Sequence, residues 1–310
     1  MHRLAQHPMS RAAAIRVGVS GWRYAPWRGD FYPEGLRQAD ELHYASRQLP
    51  AIEINGSFYS LQTPASYRAW YAATPRGFAF SVKGPRYLTH ILRLREIDKP
   101  LANFFASGLF ELKEKLGAIL WQFPPSLRWN AELFERFCAA LPRNTGQAQA
   151  LARRREARMK GRCSLAIDRS RRLRHAVEIR HDSFLNEAFI ALLRRHGIAL
   201  VIADTGRRWP EIGDLTADFL YLRLHGATQL YRSRYSEASL RKWAQRIEQW
   251  SQGQDAQDVP RISTKPPRAR TARDVFCFFD NTDKQHAPRN AQRMLALLGH
   301  DAPMPARGWR

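Results

Sequence analysis

The sequence predicts an α/β protein: one (β/α)8 TIM-like barrel over residues 15–310, with two basic loop insertions near 143–174 and 253–273. Two observations predict it. Eight short apolar runs, each bounded by turn residues, alternate with amphipathic helical patterns along the whole chain. In several runs apolar residues alternate with ionisable ones, and the ionisable ones fall late in the run. Short runs rich in β-branched and aromatic residues suit buried parallel strands. Strand–helix alternation repeated eight times closes into a barrel.

The strands are expected at 15–22, 51–59, 77–85, 116–124, 174–184, 198–205, 219–226 and 274–281. Helical patterns occupy about 36–49, 64–74, 100–115, 130–141, 186–196, 236–251 and 288–299. Pro64 and Pro288 suit first-turn positions, where a missing amide costs nothing. The connection 206–218 carries little helical pattern, so that crossover is expected to be irregular. A doubly wound open sheet is the competing architecture. It normally opens on a Gly-rich turn, whereas here Gly21 is followed by Trp22.

With 44% hydrophobic and 25% charged residues, the 310-residue chain has ample material for a large core. No apolar run approaches the roughly 20 residues of a membrane span. Residues 1–14 lack the apolar stretch of a signal peptide and are expected to be frayed. Cys138, Cys163 and Cys277 are few, odd in number and widely spaced, which argues against a disulfide framework or a thiolate metal site. A reducing, cytoplasmic setting is the expectation, with no membrane association.

The net charge of +22 is concentrated. Residues 143–174 hold eleven basic residues against Glu156 and Asp168, and residues 261–273 hold five with no acid. Both stretches show little apolar periodicity and are expected to be surface loops, dispensable for the barrel.

In a barrel, alternate residues of each strand face the axis, and functional groups gather at the carboxyl ends. Glu53, Asn55 and Ser57 share one parity of the second run; Ser81 and Lys83 of the third; Glu178 and Arg180 of the fifth; Arg223 and His225 of the seventh. Asp204 ends the sixth run, and Asp280 and Asn281 end the eighth. Charges facing the axis must pair with one another or with a ligand, because isolated buried charge is very costly. A purely structural ion-pair network competes with an active site as the explanation. Trp22, Tyr24, Trp27, Phe31 and Tyr32 of the first loop suit either a lid over the pocket or packing of the rim. His90, His181 and His286 are each expected to be structural, His181 being the best functional candidate because it follows Arg180.

The strings SGWRYAPWRGDFYP (20–33), EINGSFY (53–59), KGPRYLTH (83–90), QFPP (122–125), EIRHDSF (178–184), DFLYLRLHG (218–226) and FDNTDKQHAPRNA (279–291) together resemble the YecE-like family, domain of unknown function 72. The resemblance implies a TIM-like barrel and no particular reaction. It implies a pocket lined by Glu53, Asn55, Lys83, Gln122, Glu178, Arg180, Asp204, Arg223, His225 and Asn281. The Arg-rich 143–174 stretch is longer than the resemblance leads one to expect.

Three functions compete. The leading expectation is an enzyme acting on a small anionic metabolite, phosphorylated or carboxylated, without a cofactor. Lys83, Arg180 and Arg223 would contact the anion, Glu53 or Glu178 would be general base, and His225 an acid or orienting donor. Asp204 completes the catalytic set; Trp22, Tyr24, Asn55, Gln122, His181 and Asn281 complete the binding set. Phosphate is expected near His225–Gly226 and 281–290. Lys83 as a Schiff-base nucleophile is disfavoured, because neighbouring carboxylates should raise its pKa. The second expectation is a barrel resembling divalent-metal sugar isomerases or endonucleases, with Mn²⁺ or Mg²⁺ on Glu178, Asp204, His225 and Asp280. The third is salt-sensitive, non-specific nucleic-acid binding through 143–174 and 261–273.

Overall fold

In the computed structural model, which describes residues 12–226, 233–281 and 285–300, the eight expected strands all form. In chain order the elements are β1 (Ile15–Ser20), α1 (Glu41–Gln48), β2 (Ala51–Ile54), α2 (Gly56–Tyr59), α3 (Pro64–Ala73), β3 (Ala79–Lys83) and α4 (Asp98–Ala106). Then come β4 (Leu116–Gln122), α5 (Ala131–Ala140), α6 (Thr145–Ala152), β5 (His175–Glu178), α7 (Glu187–His196) and β6 (Ala199–Asp204). The chain closes with β7 (Phe219–Leu224), α8 (Glu237–Ser251), β8 (Asp274–Phe279) and α9 (His286–Leu297). The strands pair in parallel in chain order, and β8 returns to β1 to close the barrel.

Local chemistry sets the element ends. Thr63, Asn130, Asn186 and Ser236 each accept a hydrogen bond from a backbone N–H in the first turn of the helix they precede, satisfying a donor the helix cannot. Pro64 is the first residue of α3, where its ring costs nothing. The second strand stops five residues before its expected end. Asn55 turns into helical conformation, and the Ser57 hydroxyl donates to the carbonyls of Ile54 and Lys83, so the chain dives into α2. The expected 100–115 helix breaks after α4, where Gly108 adopts φ 109° and a 3-10 segment, Leu109–Lys115, follows.

The barrel interior is layered. At the amino-terminal mouth Arg174 pairs with Asp274 at 2.8 Å, and both Arg174 and Arg16 lie over the ring of Phe276. Above them Ala51, Ala79, Ala118, Ala176, Ala199 and Val201 make room for the large rings of Phe219, Tyr221, Phe276 and Phe278. The small side must be small: a Cβ on Gly18 would lie 1.9 Å from the Ala51 carbonyl oxygen. The layer of rings thus separates the Arg174–Asp274 pair from a larger ionic cluster at the carboxyl-terminal end.

The two basic stretches are more structured than expected. Within 143–174, α6 packs on α4 and buries Ala148 and Ala152 completely. Asn103 of α4 donates to Glu156 and accepts from the Glu156 amide, clamping the chain beyond α6. Small alanines escape notice as an apolar face, which is why the sequence reads as loop. The 206–218 crossover has no helix, as expected. Its place over the barrel is taken by its own Ile212 and Leu215 together with Val259 of the second basic stretch. Asp214 accepts from the amides of Ile262 and Ser263, and the Gly213 amide donates to Pro260. The stretch is a cover, not a free loop. Among the described residues, no helix is long and apolar enough to cross a membrane.

Candidate active site at the carboxyl ends of the strands

Parity places Glu53, Lys83, Gln122, Glu178, Arg223, His225 and Asp280 on the inward-facing set of their strands. The centre of the group is Arg223, fully buried. Its Nε donates to Glu53 at 3.1 Å; one terminal nitrogen donates to Glu178 at 2.7 Å; the other donates to Glu53 and Asp280, each at 2.8 Å. Glu53 also accepts from the Ser20 and Tyr221 hydroxyls at 2.9 and 2.6 Å. Glu178 takes a further bidentate contact from Arg180, at 2.8 Å through Nε and again through a terminal nitrogen. His225 lies beside the group, Nδ1 3.2 Å from Asp280 and Nε2 3.9 Å from Glu178.

Burial works against ionisation of Glu178, but Arg223, Arg180, His225 and Lys83 outweigh it and hold the carboxyl well below its ordinary range. Burial likewise opposes the charge on Arg223, and Glu53, Glu178 and Asp280 outweigh it, raising that guanidinium well above its ordinary value. Both sides are therefore fixed as ions. Glu53, Glu178 and Arg223 saturate one another and form the floor of the site. This corrects the expectation that Arg223 contacts an anion, and it leaves Glu178 poorly suited to take up a proton.

Above that floor opens a cavity of 780 Å³. Tyr24, Asn55, Phe58 and Tyr59 form one wall; Lys83, Arg86, His90 and Ile91 a second; Gln122, Arg180 and Asp280 complete it. Lys83 is 8% exposed, and its ammonium lies 4.3 Å from the centre of the Phe58 ring. Burial first, then Arg223, bring its pKa down from 10.5 to about 8, against the opposing pull of Glu178, Glu53 and Asp280. The expectation of a raised pKa is thus reversed, because desolvation exceeds the pull of carboxylates already neutralised by arginine. His90 is held neutral for the same reasons: burial, then Lys83, Arg180 and Arg86, lower it to about 4. The Arg180 guanidinium stacks 3.8 Å from the centre of the Trp209 ring. The Tyr24 hydroxyl donates to the Ser20 carbonyl at 2.7 Å, and burial keeps the phenol protonated.

Several expected residues lie elsewhere. Asp204 shares the parity of Leu200 and Ile202 and faces the helices, where it accepts from the Tyr235 hydroxyl and the Trp243 indole. His181 caps the 3-10 turn Asp182–Phe184, its Nδ1 accepting from the Ser183 amide. Asn281 turns toward the Ser233 carbonyl, at 3.4 Å. Trp22 packs edge-on against Trp70 and lines a neighbouring 460 Å³ groove. Trp27, Phe31 and Tyr32 are buried in the rim, so of the first-loop aromatics Tyr24 alone faces the cavity. The loops expected to take phosphate run through 227–232 and 282–284, outside the described residues.

The structure also adds residues. Arg86 and His90 come from the KGPRYLTH string, Arg86 just before and His90 within a single turn of π-helix, Tyr87–Ile91, a rare element that often marks functional sites. Tyr221 and Ser20 share the inward parity of their strands and could have been found by it. The proposed metal set does not assemble. Asp204 faces away, and the Arg223 guanidinium sits among Glu53, Glu178 and Asp280, where a cation would have to bind. Among the described residues no three His, Cys, Asp or Glu converge as a ligand set.

A closed parallel barrel with an ionic floor defines the class: a TIM-like barrel protein with an open cavity at its carboxyl-terminal face, where that fold builds its sites. The family described as Protein of unknown function DUF72 matches residues 16–308, and the chain belongs to it. The UPF0759 protein YunF of Bacillus subtilis strain 168 is 29% identical over 119 residues, which span 36% of this chain and 40% of that protein. A crystal structure of a DUF72 family protein from Thermotoga maritima MSB8 superposes with a TM-score of 0.69 at 24% identity, covering 93% of this chain and all of that one. A DUF72 family protein from Enterococcus faecalis V583 superposes with a TM-score of 0.62 at 18% identity, covering 93% of this chain and 98% of that one.

Proposed function

We propose that this protein is an enzyme that takes a small phosphorylated or carboxylated metabolite into the cavity above Arg223 and acts on it by acid–base chemistry. One observation carries the reading. Among the described residues, Lys83, Arg86 and Arg180 face the cavity, while of the acids around it only Asp280 reaches the wall, and it is already bonded to Arg223. The cavity is thus a basic cup on a neutralised floor. Arg86 and Arg180 supply planar donors suited to carboxylate or phosphate. Asn55, Gln122 and Tyr24 supply neutral hydrogen-bonding groups that orient the remainder of the ligand. Lys83, brought down to about 8, is the group best matched to proton transfer near pH 7, and the neutral His90 imidazole beside it can relay a proton. His225 and Asp280 then act from below as positioning groups.

The test is thermal stabilisation by inorganic phosphate, sulfate and sugar phosphates, on wild type and on Arg86→Ala. A ligand bound only to the native state at a hundred times its Kd adds about 2.7 kcal/mol. The expected result is stabilisation of wild type, reduced in Arg86→Ala, whose substituted side chain is exposed and outside the floor. No stabilisation of wild type by any of these anions overturns the reading.

A further inference from the structure

We propose that Lys83 is a covalent nucleophile, whose amine forms an imine with the carbonyl of an anionic aldehyde or ketone held in the cavity. The proposal deepens the anionic-substrate reading and rests on it.

Four observations bear on it. First, Lys83 is buried along its stem yet reaches the wall of an open cavity. Second, among the described residues its ammonium has neither a hydrogen-bond acceptor nor an ion-pair partner, only the face of Phe58. The other buried lysine, Lys115, gives all three of its donors to the Tyr71 and Thr74 carbonyls and the Thr74 hydroxyl. Third, the carboxylates nearest to Lys83 are already engaged: Glu53 and Asp280 by Arg223, and Glu178 by Arg223 and Arg180. They balance the site without gripping the amine. Fourth, the backbone around Lys83 is fixed. Its carbonyl accepts from Ser57 at 2.7 Å, and the Gly84 amide donates to Leu120 at 2.8 Å. A Cβ on Gly84 would lie 2.3 Å from the Trp121 ring, so the strand end is pressed against that side chain. A rigid strand end presenting an uncommitted amine to a cavity is what covalent lysine catalysis needs. The lowered pKa of about 8 leaves roughly a tenth of the amine unprotonated at pH 7.

The chemistry balances without an oxidant or a cofactor. The neutral Nζ adds to the carbonyl carbon; a C–N bond forms as the carbonyl π bond breaks onto oxygen. A proton passes from nitrogen to that oxygen through the neutral His90 imidazole or cavity water, giving a carbinolamine. Protonation of its hydroxyl lets water leave, and the nitrogen lone pair closes the C=N bond of the protonated imine. Arg86 and Arg180 hold the substrate's carboxylate or phosphate. The substrate class is therefore a 2-oxo acid or a phosphorylated aldose or ketose.

The test uses the whole protein with pyridoxal 5′-phosphate, a phosphorylated aldehyde, followed by borohydride reduction and peptide mass mapping. The expected result is one adduct per chain, on Lys83. It should form about tenfold or more faster than on exposed Lys99 or Lys242 at pH 7, with a rate rising through pH 8. The adduct should be absent in Lys83→Arg, whose folding is checked by circular dichroism. Because the mapping is done on wild type, it does not depend on that variant folding. Inorganic phosphate should slow labelling. Labelling confined to exposed lysines, with Lys83 unmodified, overturns the proposal even if phosphate stabilises the protein. Labelling of Lys83 that phosphate does not slow supports the nucleophile and removes the anion reading instead.

Discussion

At the amino-terminal rim, Lys115 stands just before β4 and is 4% exposed; at the carboxyl-terminal rim, Lys83 ends β3 and is 8% exposed. The first spends every donor on the Tyr71 and Thr74 carbonyls and the Thr74 hydroxyl. The second spends none and sits over an aromatic ring. Burial alone therefore does not separate a structural charge from a functional one. The difference lies in whether the surrounding polar groups have been arranged to satisfy it. Around Lys83 that capacity has gone to Arg223 instead, so the same three carboxylates that stabilise the floor leave the amine available.

The floor should be the largest single contributor. Arg223→Met leaves Glu53, Glu178 and Asp280 buried without their shared cation, and breaking such a network costs about 3–5 kcal/mol. Urea denaturation measures it. An unchanged midpoint would mean the carboxylates are hydrated and the floor is not a floor. The sign of the pH effect follows from Glu178, whose folded pKa is depressed. Its stabilisation is present above the ordinary Glu range, about 4.3, and is lost as pH falls toward the folded value. Wild type should lose stability across that window, and Arg223→Met should lose less.

Lys115→Met comes next. It strands acceptors that a charged donor had satisfied, costing about 2–3 kcal/mol. Burial lowers the Lys115 pKa as well, so the loss should grow, not shrink, as pH rises toward the unfolded value of 10.5.

Lys83→Met should do the reverse. The folded pKa of Lys83 lies far below the unfolded value of 10.5, and among the described residues no hydrogen bond offsets the burial, so the protonated side chain destabilises the native state. The penalty is full below pH 8 and fades as pH rises from about 8 to 10.5, where the unfolded chain still binds the proton and the folded chain does not. The variant should melt above wild type at pH 6–7, and the gain should vanish on raising the pH. A loss of stability at pH 6–7 would place Lys83 with Lys115 as a structural charge.

The smallest effect concerns the basic stretches, the proposed sites of salt-sensitive nucleic-acid binding. Changing Arg153, Arg154, Arg158 and Arg162 to Gln should leave the melting temperature nearly unchanged while weakening low-salt retention on DNA or RNA. Deleting 144–172 instead removes α6 with its buried Ala148 and Ala152, so that deletion should destabilise the barrel. Unchanged retention after the Gln substitutions would move the polyanion surface elsewhere.

The barrel was legible because its signal is alternation, and in β2, β3, β5 and β7 ionisable residues share a parity opposite to Ile, Phe, Val and Leu. In β6 both faces are apolar: Ala199, Val201 and Ala203 inside, Leu200 and Ile202 outside. Nothing but the larger size of the outward set shows that Asp204 belongs with it. Asn281 follows Cys277 and Phe279 outward in the same way. Which acids Arg223 holds was not legible at all, since it depends on distances across the barrel. The proton affinity of Lys83 was misread because neighbouring carboxylates can be counted in a sequence, whereas desolvation cannot.

The cover over the β6–β7 crossover arrives late in the chain. Ile212 and Leu215 meet Val259 more than forty residues downstream, and Asp214 waits for the amides of Ile262 and Ser263. During synthesis, seven strands and most of their helices can emerge and associate while this flank stays bare. A nascent chain that pauses before the 255–263 segment presents an apolar side to its neighbours at the stage when partly built domains aggregate most readily. The segment thus sets when this flank is covered, with β8 still to follow and close the barrel.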